Sequence, residues 1–237
     1  MLQKTEGIVL KTLKYSETSV ITKIFTREYG LNSFIIPGVR SSRNKSKSNL
    51  FQPLQILELD VYYHPQKSLL KLKEYRPGHI YSNLYTDMIR QCVAIFAIEV
   101  LTKCIHEHDV NENLYDYMRE FLLETDQSNT SRNILPHLFL LQMSHILGFM
   151  PYIEAPFQER SYFNLEEGVF EKNPTFTQVT LDKIEAKLIF DFLDKKHENF
   201  SKKDRLKILE ILLLYFKYHI PNFKQVTSLD IIRQIFV

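Results

Sequence analysis

The sequence predicts an α+β protein of two domains: a five-stranded OB-type β-barrel at residues 1–80, then an all-helical domain at 81–237 with a short irregular or hairpin insertion. Three observations carry this reading. Up to Pro77 the apolar residues alternate with period two in runs rich in Val, Ile, Thr and Phe. After the punctuation "RPGHIYSN" (Arg76–Asn83) they recur at helical spacing instead. The charge changes at the same place. Residues 1–80 hold 13 Lys and Arg against 6 Asp and Glu, net +7, whereas residues 81–237 hold 17 against 22, net −5. That asymmetry predicts that the first domain addresses a polyanion.

Taken in order, "GIVLKTLKY", "TSVITKIFT" and "LNSFIIPG" read as the first three strands, separated by polar or glycine-containing breaks. "LQILELDVYY" and "SLLKLKEYRP" follow as the fourth and fifth. In the fourth, Leu57, Leu59, Val61 and Tyr63 alternate with Glu58, Asp60 and Tyr62, a half-buried strand with one wet face. Five strands in about 75 residues suit an OB barrel, and an SH3-like barrel fits the count nearly as well. The helical part opens with Leu84, Met88, Ile89, Cys92, Val93, Phe96, Val100 and Leu101, then "LYDYMREFLLE" and "ILPHLFLLQMSHILGF". A Pro-bounded irregular piece runs from Met150 to Phe170. "LDKIEAKLIFDFLDKK" and "SKKDRLKILEILLLYFKYHI" are helical, the latter starting with Ser201 and Asp204 at capping-box spacing. "SLDIIRQIF" closes the chain.

Several chemistries find no support. The six glycines, at 7, 30, 38, 78, 148 and 168, form neither GxGxxG nor GxxxxGK[ST], and GxSxG and HExxH are absent, so a non-enzymatic role is expected. Catalysis through scattered residues is the alternative. "CIHEHD" (Cys104–Asp109) offers Cys104, His106 and His108, but no second ligand pair has zinc spacing; an ordinary helix end is the simpler reading. His137 and His145 read as core or boundary residues, and Glu99 as a structural hydrogen bond or ion pair between helices, with a functional acid as the alternative. Cys92 and Cys104, 12 apart in one helical segment, suggest no disulfide framework. No cofactor and no metal are expected. Without an 18-residue apolar run or a signal-peptide core, the chain reads as soluble and cytoplasmic, with no membrane partner.

The basic stretch "GVRSSRNKSKSNLFQP" carries more. It places Arg40, Arg43, Lys45 and Lys47 within eight residues among serines, with no acid. Such a loop attracts phosphates through Coulomb energy and counterion release without fixing base identity. The two loops that face ligands in an OB barrel each add a Tyr and a Lys: Lys14 with Tyr15, and Tyr63 with Lys67. Tyr15, Phe34, Phe51 and Tyr63 are candidate stacking rings, each with a core role as the alternative. The expected DNA-binding set is therefore Arg40, Arg43, Lys45, Lys47, Lys14, Tyr15 and Lys67, with a solvated connector as the competing reading of the basic stretch.

The residues from Gly7 to Tyr63 resemble the opening of RecO, the family of bacterial recombination mediators. The resemblance rests on Gly7-Ile-Val-Leu, Tyr15-Ser-Glu-Thr-Ser, Phe25-Thr-Arg-Glu-Tyr-Gly30 and Pro37-Gly38-Val-Arg, then the Lys/Ser-rich loop to Leu50, and Gln52-Pro53. It continues through Ala97-Ile-Glu99-Val-Leu, "HILGFMP" (His145–Pro151) and the C-terminal "TSLDIIRQIF". It implies an OB domain and a helical domain, binding of single- and double-stranded DNA, and contact with the tail of single-stranded DNA-binding protein (SSB). It also implies partnership with RecR, indirect action on RecA through its loading onto SSB-coated gaps in repair, strand annealing, and a nucleoid-associated location. An interaction scaffold with no direct DNA role is the alternative. One departure stands out. Many members carry a four-cysteine zinc site after the Leu-Gly-Phe-x-Pro turn, where this chain has no cysteine. Phe157, Tyr162, Phe163, Leu165, Val169 and Phe170 are expected to pack there as a hairpin in place of the metal.

Overall fold

The computed structural model describes residues 2–40, 45–127, 133–153, 157, 161–174, 179–194 and 200–235; the side chains of Lys45 and Ser46 lie outside this set. Strands β1 (Leu2–Lys14), β2 (Val20–Thr26), β3 (Gly30–Ile36), β4 (Ile56–Tyr62) and β5 (Leu70–Pro77) close into a barrel of order β1-β2-β3-β5-β4. Closure runs through a short parallel seam, Phe34 and Ile35 on β3 against Leu70 and Lys71 on β5, and through β4 back to β1. This is the OB arrangement, which settles the choice that strand count left open. The alternation works as read: Val9, Val20, Ile24, Phe34, Ile36, Leu57, Leu59, Val61 and Leu70 fill the interior, joined by Val39 and Phe51 from the β3–β4 connection. β1 begins five residues before the expected strand. Its polar start, Leu2 to Glu6, alternates poorly but is held by register with β4, Leu2 opposite Tyr62 through Ile8 opposite Ile56.

Helix α1 (Lys45–Asn49) forms within the basic stretch. Helices α2 (Met88–Cys104) and α3 (Glu112–Gln127) follow the barrel. α2 starts four residues later than the periodicity suggested. Asp87 caps it by accepting from the N–H of Ile89 and Arg90, and Leu84 is held outside the helix by its N–H donating to Asp126. By compactness the chain divides into Met1–Ser128 and Asn129–Val237, so α2 and α3 belong with the barrel. Their attachment is dense. The "CIHEHD" run is structural: Glu107 makes a β-bridge to Leu31, and the His108 N–H donates to the Leu31 carbonyl at 3.1 Å. Gly30, at φ +65°, lies so close that a Cβ would meet the Asp109 carbonyl oxygen at 2.1 Å. Arg27 reaches Glu112 and Asp116, each at 2.8 Å, and Arg119 reaches Glu6 at 2.8 Å. Phe25 packs on Tyr115. Glu99 pairs with Lys103 at 3.1 Å, an ion pair along α2 itself where one between helices was expected.

In the second unit, α4 (Leu135–Ile146) and α5 (Lys183–Leu193) pack against α6 (Lys202–His219), and α7 (Leu229–Ile235) follows. The Ser201–Asp204 capping box forms in full. His137 is buried, with its ring Nε2 2.7 Å from the Arg205 carbonyl, whereas His145 is exposed. The expected hairpin is present: β6 (Tyr162–Asn164) pairs with β7 (Val169–Glu171), and β8 (Thr180–Leu181) adds to β6. Aromatic rings hold it. Phe163 meets Phe170 at 4.9 Å and Tyr215 of α6 at 5.8 Å, while Phe157 and Phe170 meet Phe190 of α5 at 5.2 and 5.5 Å. Phe149, of the Leu-Gly-Phe turn, stacks on His219 at 4.9 Å and receives the Tyr215 hydroxyl on its carbonyl at 2.6 Å.

Candidate nucleic-acid interface

The site is built from the outward half of the strand alternation. Directly opposed residues share a face, so the register Leu13–Ile21, Ile21–Ile35, Ile35–Lys71 and Lys71–Tyr62 traces one outward row across all five strands. Leu13 and Tyr62 are about half exposed, at 50% and 51%. The neighbouring outward pair, Lys11 opposite Lys23, is also cationic. The Lys23 ammonium meets Glu107 at 2.8 Å, and its hydrogen bond holds the Glu107 carboxyl below the usual range.

Loops border the row on both sides. Beyond Lys14 and Val20, the next opposed pair, lies the β1–β2 loop, residues 15–19. The segment leaving β3 after Ile36 departs from the same side, because Ile36 opposes Val20. The β4–β5 loop, residues 63–69, leaves from the other side, between Tyr62 and Leu70. Lys14, Tyr15 and Arg40 thus line one edge of the face and Lys67 the other; all four are exposed, and Tyr15 presents its ring at 60% exposure. The two edges and the row make a cationic face with an apolar centre, suited to a flexible polyanion.

The remaining sequence-derived candidates fall elsewhere. Phe34 and Phe51 are core residues, each 1% exposed, and Tyr63 is half-buried and stacked on Tyr29 at 4.1 Å, so Tyr15 alone of the four rings stands free of the core. Lys47 is exposed but lines a different feature, a cleft of about 790 Å³ that it shares with Lys4 and Arg76 and with five carboxylates: Glu6, Glu28, Glu58, Asp60 and Glu74. That side of the barrel is a poor surface for phosphate. Arg43 and the Lys45 side chain lie outside the described residues. Composition had singled out none of Lys11, Lys23 and Lys71. Their signal was positional, since each occupies an outward step of a period-two strand whose neighbouring steps are Leu, Ile or Thr.

The residues at the hairpin do not fit a zinc site. The chain's two cysteines, Cys92 and Cys104, both stand in α2, and rings occupy the hairpin core. Among the described residues no three His, Cys, Asp or Glu side chains are placed to hold a metal ion. No helix among them is long and apolar enough to cross a membrane.

Comparison with known proteins covers both parts of the chain. The family described as "Recombination protein O N terminal" matches residues 1–81, and "Recombination protein O C terminal" matches residues 85–228. The DNA repair protein RecO of Phocaeicola vulgatus is 31% identical over 241 residues, covering all of both chains. That of Flavobacterium johnsoniae is 33% identical over 239 residues, 98% of each chain, and that of Bacteroides fragilis 30% over 242 residues, all of each.

Proposed function

Since this chain belongs to the RecO family of DNA repair proteins, we propose that it works by holding DNA on the outward face of its barrel while its helical part docks partner proteins. One observation supports the DNA contact above the others. A five-strand outward face with Lys11 and Lys71 on the strands is bordered by Lys14, Tyr15 and Arg40 on one edge and Lys67 on the other; of the six acidic residues in 1–80, five line the cleft and one, Glu17, stands in the β1–β2 loop. Arg43 and Lys45 add cations from the basic stretch, whereas Lys47 belongs to the carboxylate-lined cleft. Lysines bind backbone phosphates without reading sequence, and Tyr15 offers a stacking surface to an unpaired base.

In this reading no bond is made or broken. The protein grips a strand and, through partners of the kinds that the family resemblance implies (RecR, the SSB tail and through them RecA), loosens the coat or presents the strand to its complement. Fluorescence titration of a labelled single strand across salt concentration examines the contact. The double variant Lys14→Ala, Lys67→Ala should flatten the slope of log K against log salt by about 1.4, at about 0.7 for each phosphate no longer neutralised. An unchanged slope removes these two lysines from the interface. Failure of the unaltered protein to bind the strand removes the DNA reading and leaves a protein-interaction scaffold.

A further inference from the structure

We propose that Arg40, the first cation of the basic stretch, is a positioning residue that fastens the β1–β2 loop and so presents Tyr15, and is not itself a phosphate contact; this rests on the DNA-binding reading above. Three consecutive carbonyls of the loop converge on this one residue. The Arg40 N–H donates to the Thr18 carbonyl at 3.0 Å, and its guanidinium Nη1 donates to the carbonyls of Ser16 at 3.0 Å and Glu17 at 3.1 Å. The loop, Tyr15-Ser-Glu-Thr-Ser19, contains neither Gly nor Pro to preset its backbone. Its own bonds are few: the N–H groups of Tyr15 and Ser16 donate to the Ser19 carbonyl at 3.1 and 3.2 Å, and the Ser19 N–H to the Ser16 hydroxyl at 3.1 Å. Arg40 supplies the outside half of the restraint.

The same geometry commits both N–H groups of Arg40 Nη1 to the loop and leaves only Nε and Nη2 to face an approaching phosphate. Two carbonyl oxygens within 3.1 Å of Nη1 carry the same sign of partial charge as an approaching phosphate oxygen. Lys14 and Lys67 make no such bonds among the described residues and are exposed. Both bonds leave Nη1, at the far end of the guanidinium, whereas a lysine ammonium ends one bond nearer the backbone on a flexible stem and does not reach the two carbonyls. Charge and clamp can therefore be separated by substitution.

The chain has no tryptophan, so Tyr15→Trp places a single indole in the loop. In that background Arg40→Ala should lower the indole's steady-state anisotropy and raise its quenching by acrylamide, without DNA present. In the native background Arg40→Ala should weaken binding of a labelled single strand while leaving the salt slope within about 0.2 of its original value, against about 0.7 for one phosphate no longer neutralised. Arg40→Lys, which keeps the charge, should weaken binding similarly. The penalties of Arg40→Ala and Tyr15→Ala should combine to less than their sum, because both remove one ring from its place, whereas independent contacts would add. A slope flattened by about 0.7, or full recovery by Arg40→Lys, makes Arg40 a phosphate contact and overturns the inference. Should the unaltered protein fail to bind DNA, the DNA reading falls, while the indole measurements still decide whether the clamp exists. An indole unmoved by Arg40→Ala sinks the clamp.

Discussion

Asp126 shows how much a single carboxylate can organise. It is fully buried at the end of α3 and accepts from the backbone N–H groups of Ser82, Asn83 and Leu84 at 3.0, 2.8 and 2.7 Å. Burial alone would raise its pKa, but these N–H donors outweigh burial and hold the carboxyl below its ordinary 3.8. Arg90 completes the joint by donating to the carbonyls of Thr125 at 2.6 Å and Asp126 at 2.8 Å. The depressed pKa means that the stabilisation is present in full above pH ~4 and is lost as pH falls through the folded-state value. Asp126→Asn should therefore cost about 1–3 kcal/mol at pH 7, the penalty of a buried hydrogen-bonding group left without its partner. The melting temperature of this variant should also fall less steeply than that of the native protein as pH drops below 4. Parallel melting curves would refute the assignment. None of this was legible in the sequence, since Asp126 lies 42 to 44 positions from its partners. By contrast, the Ser201 capping box was legible because its two partners are three residues apart and need no tertiary information.

At the scale of elements, the aromatic hairpin does a structural task with dispersion and ring geometry alone. Gly168 turns it at φ +71°, and a Cβ there would meet the Tyr215 hydroxyl at 2.3 Å. That hydroxyl is already committed to the Phe149 carbonyl, so Gly168→Ala strains the turn and displaces the clasp together. Phe163→Ala, at a fully buried ring, should lower stability by about 3–5 kcal/mol as judged by urea unfolding. A strong chelator should leave the melting temperature where it is; stoichiometric zinc in the purified protein, with melting lowered by chelation, would contradict a metal-free clasp. The hairpin was legible because so many of residues 157–170 are aromatic, and the five strands because they alternate. The joining of the β1–β2 loop to the basic stretch was not. Arg40 and Ser16 are 24 positions apart, and nothing in a charge run says that its first member turns back on the barrel.

The first compact unit is organised around a barrel that does not stand alone. The family descriptions part at residues 81 and 85, yet the compact unit extends to Ser128 because α2 and α3 complete it. A fragment 1–128 should unfold as one cooperative transition. A fragment 1–81 leaves Phe25 without Tyr115, and Arg27 without Glu112 and Asp116, and should melt lower or aggregate; equal melting temperatures would show the helices to be dispensable. Strand count and composition could place the change from strand to helix near residue 80, but only the three-dimensional packing reveals which helices the barrel keeps.

β2 and β3 connect the proposed DNA edge of this unit directly to its helices. At one end they meet the loop that carries Tyr15 and the segment that carries Arg40; at the other, Arg27, Gly30 and Leu31 are joined to the α2–α3 region. Tension on a captured strand would therefore pull along β2 and β3, over about 20 Å, and reach the helices through their lengthwise axis. Ladder hydrogen bonds lie across that direction, so the load falls on all of them at once and cannot open them one by one. Under the proposed DNA contact the barrel would be a strut as well as a grip, able to transmit a pull on DNA to its helical anchorage without unzipping.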